Sequence, residues 1–137
     1  RGLGDVYKRQ PIINKKINYL IKKDFIPFKN KKTFFAMTAH IIFNKIDSKN
    51  TVTHSKKLIK LIRNKIKFKD LLISDDLSMK SLKGTLKKNT IKTFKAGCNL
   101  ALHCNGNFKE MKIVGENSPL IDKFIIKKTS QFYKILR

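Results

Sequence analysis

Three apolar runs divide this chain, and each gives way to polar residues at its C-terminal end. Residues 33–40 (Thr-Phe-Phe-Ala-Met-Thr-Ala-His), 68–75 (Phe-Lys-Asp-Leu-Leu-Ile-Ser-Asp) and 98–104 (Cys-Asn-Leu-Ala-Leu-His-Cys) have the length and continuity of buried strands. Between them the period changes. Ser55 is a suitable N-cap for a helix to Ile66, with Leu58, Ile59, Leu61, Ile62 and Ile66 on its apolar face and Lys56, Lys57, Lys60 and Lys67 solvated. A second helix is expected from Ser78, interrupted at Gly84, resumed over residues 90–95 and closed by Gly97. Asn105-Gly106-Asn107 is a turn, and residues 120–136 carry Ile121, Phe124, Ile125, Phe132 and Ile135 as a helical tail. Upstream, Ile13, Ile17, Leu20 and Ile21 give residues 11–24 a helical spacing that Pro27 ends or redirects. Residues 41–53 read as a polar connection. Strand, helix, strand, helix, strand is the repeating unit of a parallel α/β fold.

Composition changes that picture little. With 137 residues and 41% hydrophobic content, the chain supports one ordinary core. Its net charge of +23 invites a polyanion partner, since such a surface binds phosphate backbones non-specifically. Yet the basic residues are lysines except for Arg1, Arg9, Arg63 and Arg137, and Arg is what supplies bidentate phosphate and guanine contacts. The lysines are spread along the chain beside abundant Ile and Asn, a trio that A/T-rich codons encode. No specific nucleic-acid partner is expected; a basic polyanion-binding protein is the alternative from another functional class. Cys98 and Cys104 lack the paired spacing of a zinc site and form no disulfide framework, which fits a reducing cytoplasm. No apolar stretch reaches the roughly 18 residues of a membrane span, so none is expected. Residues 1–10 differ in composition from the rest of the chain and resemble translated sequencing adaptor, leaving residues 11–137 as the domain.

Candidate chemistry centres on Asp75-Asp76. Loops converge at the C-terminal ends of parallel strands, so a carboxylate there is held rigidly and faces a pocket. The competing reading is that one Asp caps the next helix. A divalent metal would want further oxygen ligands; no other acidic cluster accompanies the pair, and Asp70 lies at the opposite strand end, so neither metal nor cofactor is expected. His40, also at a strand end, lines a pocket, moves a proton or supports the fold. His54 and His103 read as structural.

Five segments carry a family resemblance: Asp24-Phe25-Ile26-Pro27-Phe28, Met37-Thr38-Ala39-His40, Thr53-His54-Ser55, Ser74-Asp75-Asp76-Leu77-Ser78-Met79 and Ala96-Gly97-Cys98-Asn99. In order and spacing they resemble the glycoside hydrolase family 3 β-N-acetylglucosaminidases of bacterial peptidoglycan recycling, across roughly residues 11–120. The resemblance implies the C-terminal part of a (β/α)8 TIM barrel, with three strands corresponding to six, seven and eight. A complete barrel needs about 250 residues, so an incomplete barrel with unpaired edges, marginal or aggregation-prone in isolation, is expected.

The resemblance also implies a retaining exo-enzyme that releases terminal β-1,4-linked N-acetylglucosamine from anhydromuropeptides. Asp75 would be the nucleophile, Asp76 would support it, Ser74 and Met79 would shape the pocket floor, and His40 would line or brace the site. The family's acid/base is a different histidine, in a Lys-His-Phe-Pro-Gly-His-Gly loop that this chain lacks, so the chain alone is expected to be nearly inactive. A β-glucosidase-type specificity is the alternative within the family; Asp-Asp-Leu-Ser-Met favours the amino-sugar branch. Two departures stand out: Asn99 replaces the usual Asp, and residues 67–70 lack the family's glycines.

Overall fold

A computed structural model describes residues 10–136, so the adaptor reading of residues 1–10 lies, but for Gln10, outside the described residues. The chain runs β1 (Ile12–Ile13), α1 (Ile17–Lys22), β2 (Phe35–Met37), β3 (Ile42–Phe43), α2 (Lys56–Leu61), β4 (Leu71–Asp76), α3 (Leu86–Ala96), β5 (Leu100–Leu102), α4 (Phe108–Glu116) and α5 (Lys123–Tyr133). The principal sheet is parallel, in the order β2-β4-β5, with Phe35 opposite Leu71 and Ile73 opposite Leu100. Parallel neighbours need crossovers, and the segments carrying α2 and α3 supply them. The α/β class and the incomplete barrel expected from the sequence are what the chain forms.

Alternation along the strands sorts the two faces of the sheet. Ala36 and Leu72 face α2 and α3, packing with Ile59, Ile62, Phe68, Ala96 and Cys98 in the core cluster. Ser74 continues that face and is fully buried. The opposite face carries Phe35, Met37 and Ile73, and Met37 is 58% exposed there. In a closed barrel this second face is the lumen. At the N-terminal strand ends, Phe132 of α5 packs edge-on against Phe35, with ring centroids 5.1 Å apart.

Local chemistry explains the helix ends. Ser55 Oγ accepts from Leu58 N–H at 3.2 Å, as an N-cap should, and α2 then widens into a π-helical turn over Ile62–Ile66. Lys67 closes that turn at φ 62°, a left-handed conformation that glycine adopts more readily. Asn99 Oδ1 accepts from Leu72 N–H at 2.9 Å and from Arg63 at 2.7 Å, tying β4, β5 and α2 together at the end remote from Asp75.

Three expectations need correction. The helix anticipated from Ser78 starts only at Leu86, because the Asp76 carboxylate folds residues 76–79 into a turn and Thr85 supplies the cap, accepting from Lys88 N–H at 3.3 Å. Asp76 therefore caps no helix. The segments read as helix (residues 11–24) and as connection (residues 41–53) each contain a two-residue strand, β1 pairing in parallel with β3, too short to show a period. The first long strand is only three residues, since Ala39 and His40 leave the ladder after Thr38 N–H bonds to Ile73 O at 2.8 Å.

Gly97 ends α3 at φ 113°, and a Cβ there would sit 3.0 Å from Ile59 Cγ2. Gly97→Ala therefore meets both backbone strain and a core contact, and is expected to destabilise the chain by about 1–3 kcal/mol in urea denaturation. A midpoint equal to the parent's would show that neither matters.

Candidate active site

β4 carries one more residue than its neighbour where the acidic pair emerges. Ile73 opposes Leu100 and Asp76 opposes Leu102, so three steps on β4 face two on β5. Such a bulge bends a strand and re-aims its side chains, and it recurs beside functional sites. Ser74 completes it: the buried Oγ accepts from Leu102 N–H at 2.9 Å, satisfying a donor that the irregular ladder leaves free. Leu77 N–H then returns to Leu102 O at 2.9 Å.

Asp75 is half-buried at this strand end, and its Oδ1 accepts from Asp76 N–H at 2.9 Å. Asp76 has a different environment. Its Oδ1 accepts from Ser78 N–H at 3.0 Å and from Cys104 N–H at 3.2 Å, and its Oδ2 accepts from Ser78 Oγ at 2.7 Å. Burial works to raise the Asp76 carboxyl, but those donors outweigh it and hold it below the ordinary carboxylate value. Its carbonyl oxygen accepts from Met79 N–H at 3.2 Å, which places half-buried Met79 on the turn after the acidic pair.

The same carbonyl receives His40. That ring is 3% exposed; Nε2 lies 2.9 Å from Asp76 O and Nδ1 lies 2.9 Å from Thr53 Oγ. A carbonyl oxygen only accepts, so Nε2 carries a proton, and in the neutral ring Nδ1 accepts from Thr53. Thr53 Oγ also lies 2.9 Å from Thr38 Oγ. Both ring nitrogens of His40 are thus hydrogen-bonded inside the protein. Sequence reasoning missed Thr38 and Thr53 as site residues, although both sit inside motif segments beside recognised ones.

At the end of β5, His103 Nε2 lies 2.8 Å from Glu110 Oε2, which also accepts from Asn105 Nδ2 at 2.6 Å. His103 and then Asn105 hold the Glu110 carboxyl below its ordinary value. Cys104, exposed beside them, is pushed up first by local burial and then by the charges of Asp76 and Asp75. Asp75, Asp76 and Glu110, three of the chain's nine Asp and Glu residues, lie at this end. A concavity of about 470 Å³ lies elsewhere, at the N-terminal strand ends, lined by residues such as Lys31, Lys67 and Lys128; it includes none of the five candidate residues. Among the described residues no group of three or more His, Cys, Asp or Glu is arranged to hold a metal ion.

Two measurements probe this arrangement. Ser74→Ala leaves Leu102 N–H without its acceptor and is expected to cost about 1–3 kcal/mol, with faster amide exchange at Leu102; unchanged exchange would mean the bulge does not need the hydroxyl. His54 is pushed down to about 4 by burial first and then by neighbouring His40 and Lys92. The unfolded ring binds its proton near the ordinary value of 6.5, so the unfolded state gains protons first on acidification. Stability is therefore fully present above about 6.5 and falls as pH drops through the window to about 4. The urea midpoint should follow that slope, and His54→Gln should flatten it.

The geometry has relatives. A profile of the glycosyl hydrolase family 3 N-terminal domain matches residues 1–128. A β-hexosaminidase from Actinobacillus pleuropneumoniae serotype 3 is 30% identical over 109 residues, covering 75% of this chain and 32% of that protein. The chain spans about a third of the length of the curated relatives it matches. Among solved structures, the β-N-acetylglucosaminidase from Thermotoga maritima superposes with a TM-score of 0.70 at 28% identity, covering 79% of this chain and 25% of that one. NagZ from Neisseria gonorrhoeae, in complex with N-trifluoroacetyl-D-glucosamine, gives a TM-score of 0.70 at 25% identity over 87% of this chain and 36% of that one. With a parallel sheet, a bulged acidic strand end and a profile match over most of its length, the chain belongs to glycoside hydrolase family 3.

Proposed function

We propose that residues 11–137 form the C-terminal portion of the barrel of a retaining exo-β-N-acetylglucosaminidase, with Asp75 as its nucleophile. The observation that carries this reading is the contrast between two adjacent carboxylates. Asp76 is saturated by donors from the surrounding loops, whereas half-buried Asp75 receives one backbone N–H. A nucleophile must be ionised, fixed and accessible; one hydrogen bond orients it and leaves an oxygen for the substrate.

In this mechanism the Asp75 carboxylate attacks the anomeric carbon as the glycosidic oxygen leaves with a proton, forming a covalent glycosyl-enzyme. Water then attacks that carbon and the sugar is released with retained configuration. The carboxylates at this strand end also suit the oxocarbenium-like charge that develops between these steps. The proton donor belongs to a part of the barrel outside this chain, as the family resemblance implies. The loss of such assistance removes about 10²–10⁴-fold in rate, so the isolated chain should turn over little or no substrate. The complex of the gonococcal relative with an N-acylated glucosamine supports an amino sugar as substrate. The resemblance extends the reading to anhydromuropeptides of peptidoglycan recycling. A cytoplasmic reaction belongs to the same reading, and the free thiols of Cys98 and Cys104 are consistent with it.

The test uses a full-length protein carrying these residues and 4-nitrophenyl N-acetyl-β-glucosaminide. Asp75→Ala is expected to lower kcat/KM by roughly 10⁴-fold or more, as removal of a central catalytic group does in other hydrolases. A slow fluorinated glycoside should leave one sugar on the peptide containing Asp75. Normal turnover by a folded Asp75→Ala protein would remove the assignment.

A further inference from the structure

We propose that His40 is a positioning residue for the nucleophile, acting through the peptide of Asp76 without touching the substrate. The proposal rests on the reading of Asp75 as nucleophile. Its basis is an unbroken run of short hydrogen bonds from one strand to the next. Thr38 Oγ, at the end of β2, meets Thr53 Oγ at 2.9 Å; Thr53 Oγ meets His40 Nδ1 at 2.9 Å; and His40 Nε2 donates to Asp76 O at 2.9 Å. On the far side of the same residue, Asp76 N–H donates to Asp75 Oδ1 at 2.9 Å.

The consequence is geometric. The N–H and C=O of Asp76 flank one α-carbon, so holding the carbonyl limits the backbone rotations that would swing the N–H away from Asp75. Both threonines are at most 4% exposed and His40 is 3% exposed, so the relay is shielded from water and its donors have few competing partners. It also joins β2, the turn at Val52–His54 and the loop after β4, three segments remote in sequence. A buried histidine that merely satisfied itself would have no need to bond the peptide that orients the reacting carboxylate. Because Asp76 O accepts only, the relay demands a proton on Nε2 of His40.

The experiment again uses the full-length protein, with Asp75→Ala measured in parallel. His40→Leu removes the donor, and a displaced nucleophile is expected to lower kcat by roughly 10–100-fold, with KM within about twofold because no sugar contact is lost. His40→Gln, whose Nε2 reaches a similar distance, should recover most of that loss. Nitrogen NMR of the parent should show a proton on Nε2 of His40, and Thr53→Val should disturb it while leaving the fold intact. Amide exchange at Asp76, Ser78 and Met79 should rise in His40→Leu.

Unchanged kcat in a folded His40→Leu protein would overturn the proposal, as would a rise in KM that accounts for the whole loss. Failure of His40→Leu to fold, with Thr53→Val and His40→Gln at parental kcat and exchange, would reduce His40 to a fold-supporting residue. If Asp75→Ala stays active, the nucleophile reading falls by itself. The clamp is then judged by exchange alone, and unaltered protection at Asp76–Met79 overturns it too.

Discussion

The backbone and carboxylate of Asp76 are the junction on which the acidic end of the sheet depends. Its carboxylate gathers Ser78 and Cys104, its carbonyl accepts from His40 and Met79, and its N–H reaches Asp75. Each bond alone contributes about 0.5–1.5 kcal/mol to stability, but together they leave the residue little freedom. Three loops that share no sequence proximity are thereby referred to a single point. Fixing that point fixes the carboxylate beside it. The two adjacent carboxylates therefore differ in kind: Asp76 is consumed by structure, while Asp75 accepts from the Asp76 N–H alone.

The electrostatics reinforce the division. A chain of net charge +23 would ordinarily present a cationic surface, yet the strand ends collect Asp75, Asp76 and Glu110, with His103 as the partner of Glu110. Lysines such as Lys56, Lys57 and Lys60 of α2 are exposed, where water and salt screen them. Acidic residues at this end of the sheet are few and individually placed, and the net charge does not reveal them. The sum reflects composition, while their placement reflects topology.

Legibility in the sequence tracks the length of each signal. Residues 68–75 announce β4 because four apolar residues precede an abrupt polar change, and Gly97 announces the end of α3 because its left-handed conformation favours glycine. β1 and β3 are invisible, since two residues cannot display a period of two. The sequence places the start of α3 at Ser78, whereas Asp76 draws Ser78 into a turn and the helix begins only after its Thr85 cap. His40 is recognisable as a residue of interest, but its orientation depends on Thr53, which reaches it only after an intervening strand and loop. A hydrogen bond between side chains 13 residues apart has no linear signature.

The bulge in β4 makes the direction of Asp75 a matter of counting. Side chains on a strand alternate between faces, so substitutions there alter chemistry while insertions and deletions alter geometry. Removing one residue between Ile73 and Asp76 would straighten the ladder and turn the following side chains through the sheet. The carboxylate now facing the open side would then point toward the packed helices. In this stretch of four residues the number of residues is therefore as much a part of the site's geometry as their identities.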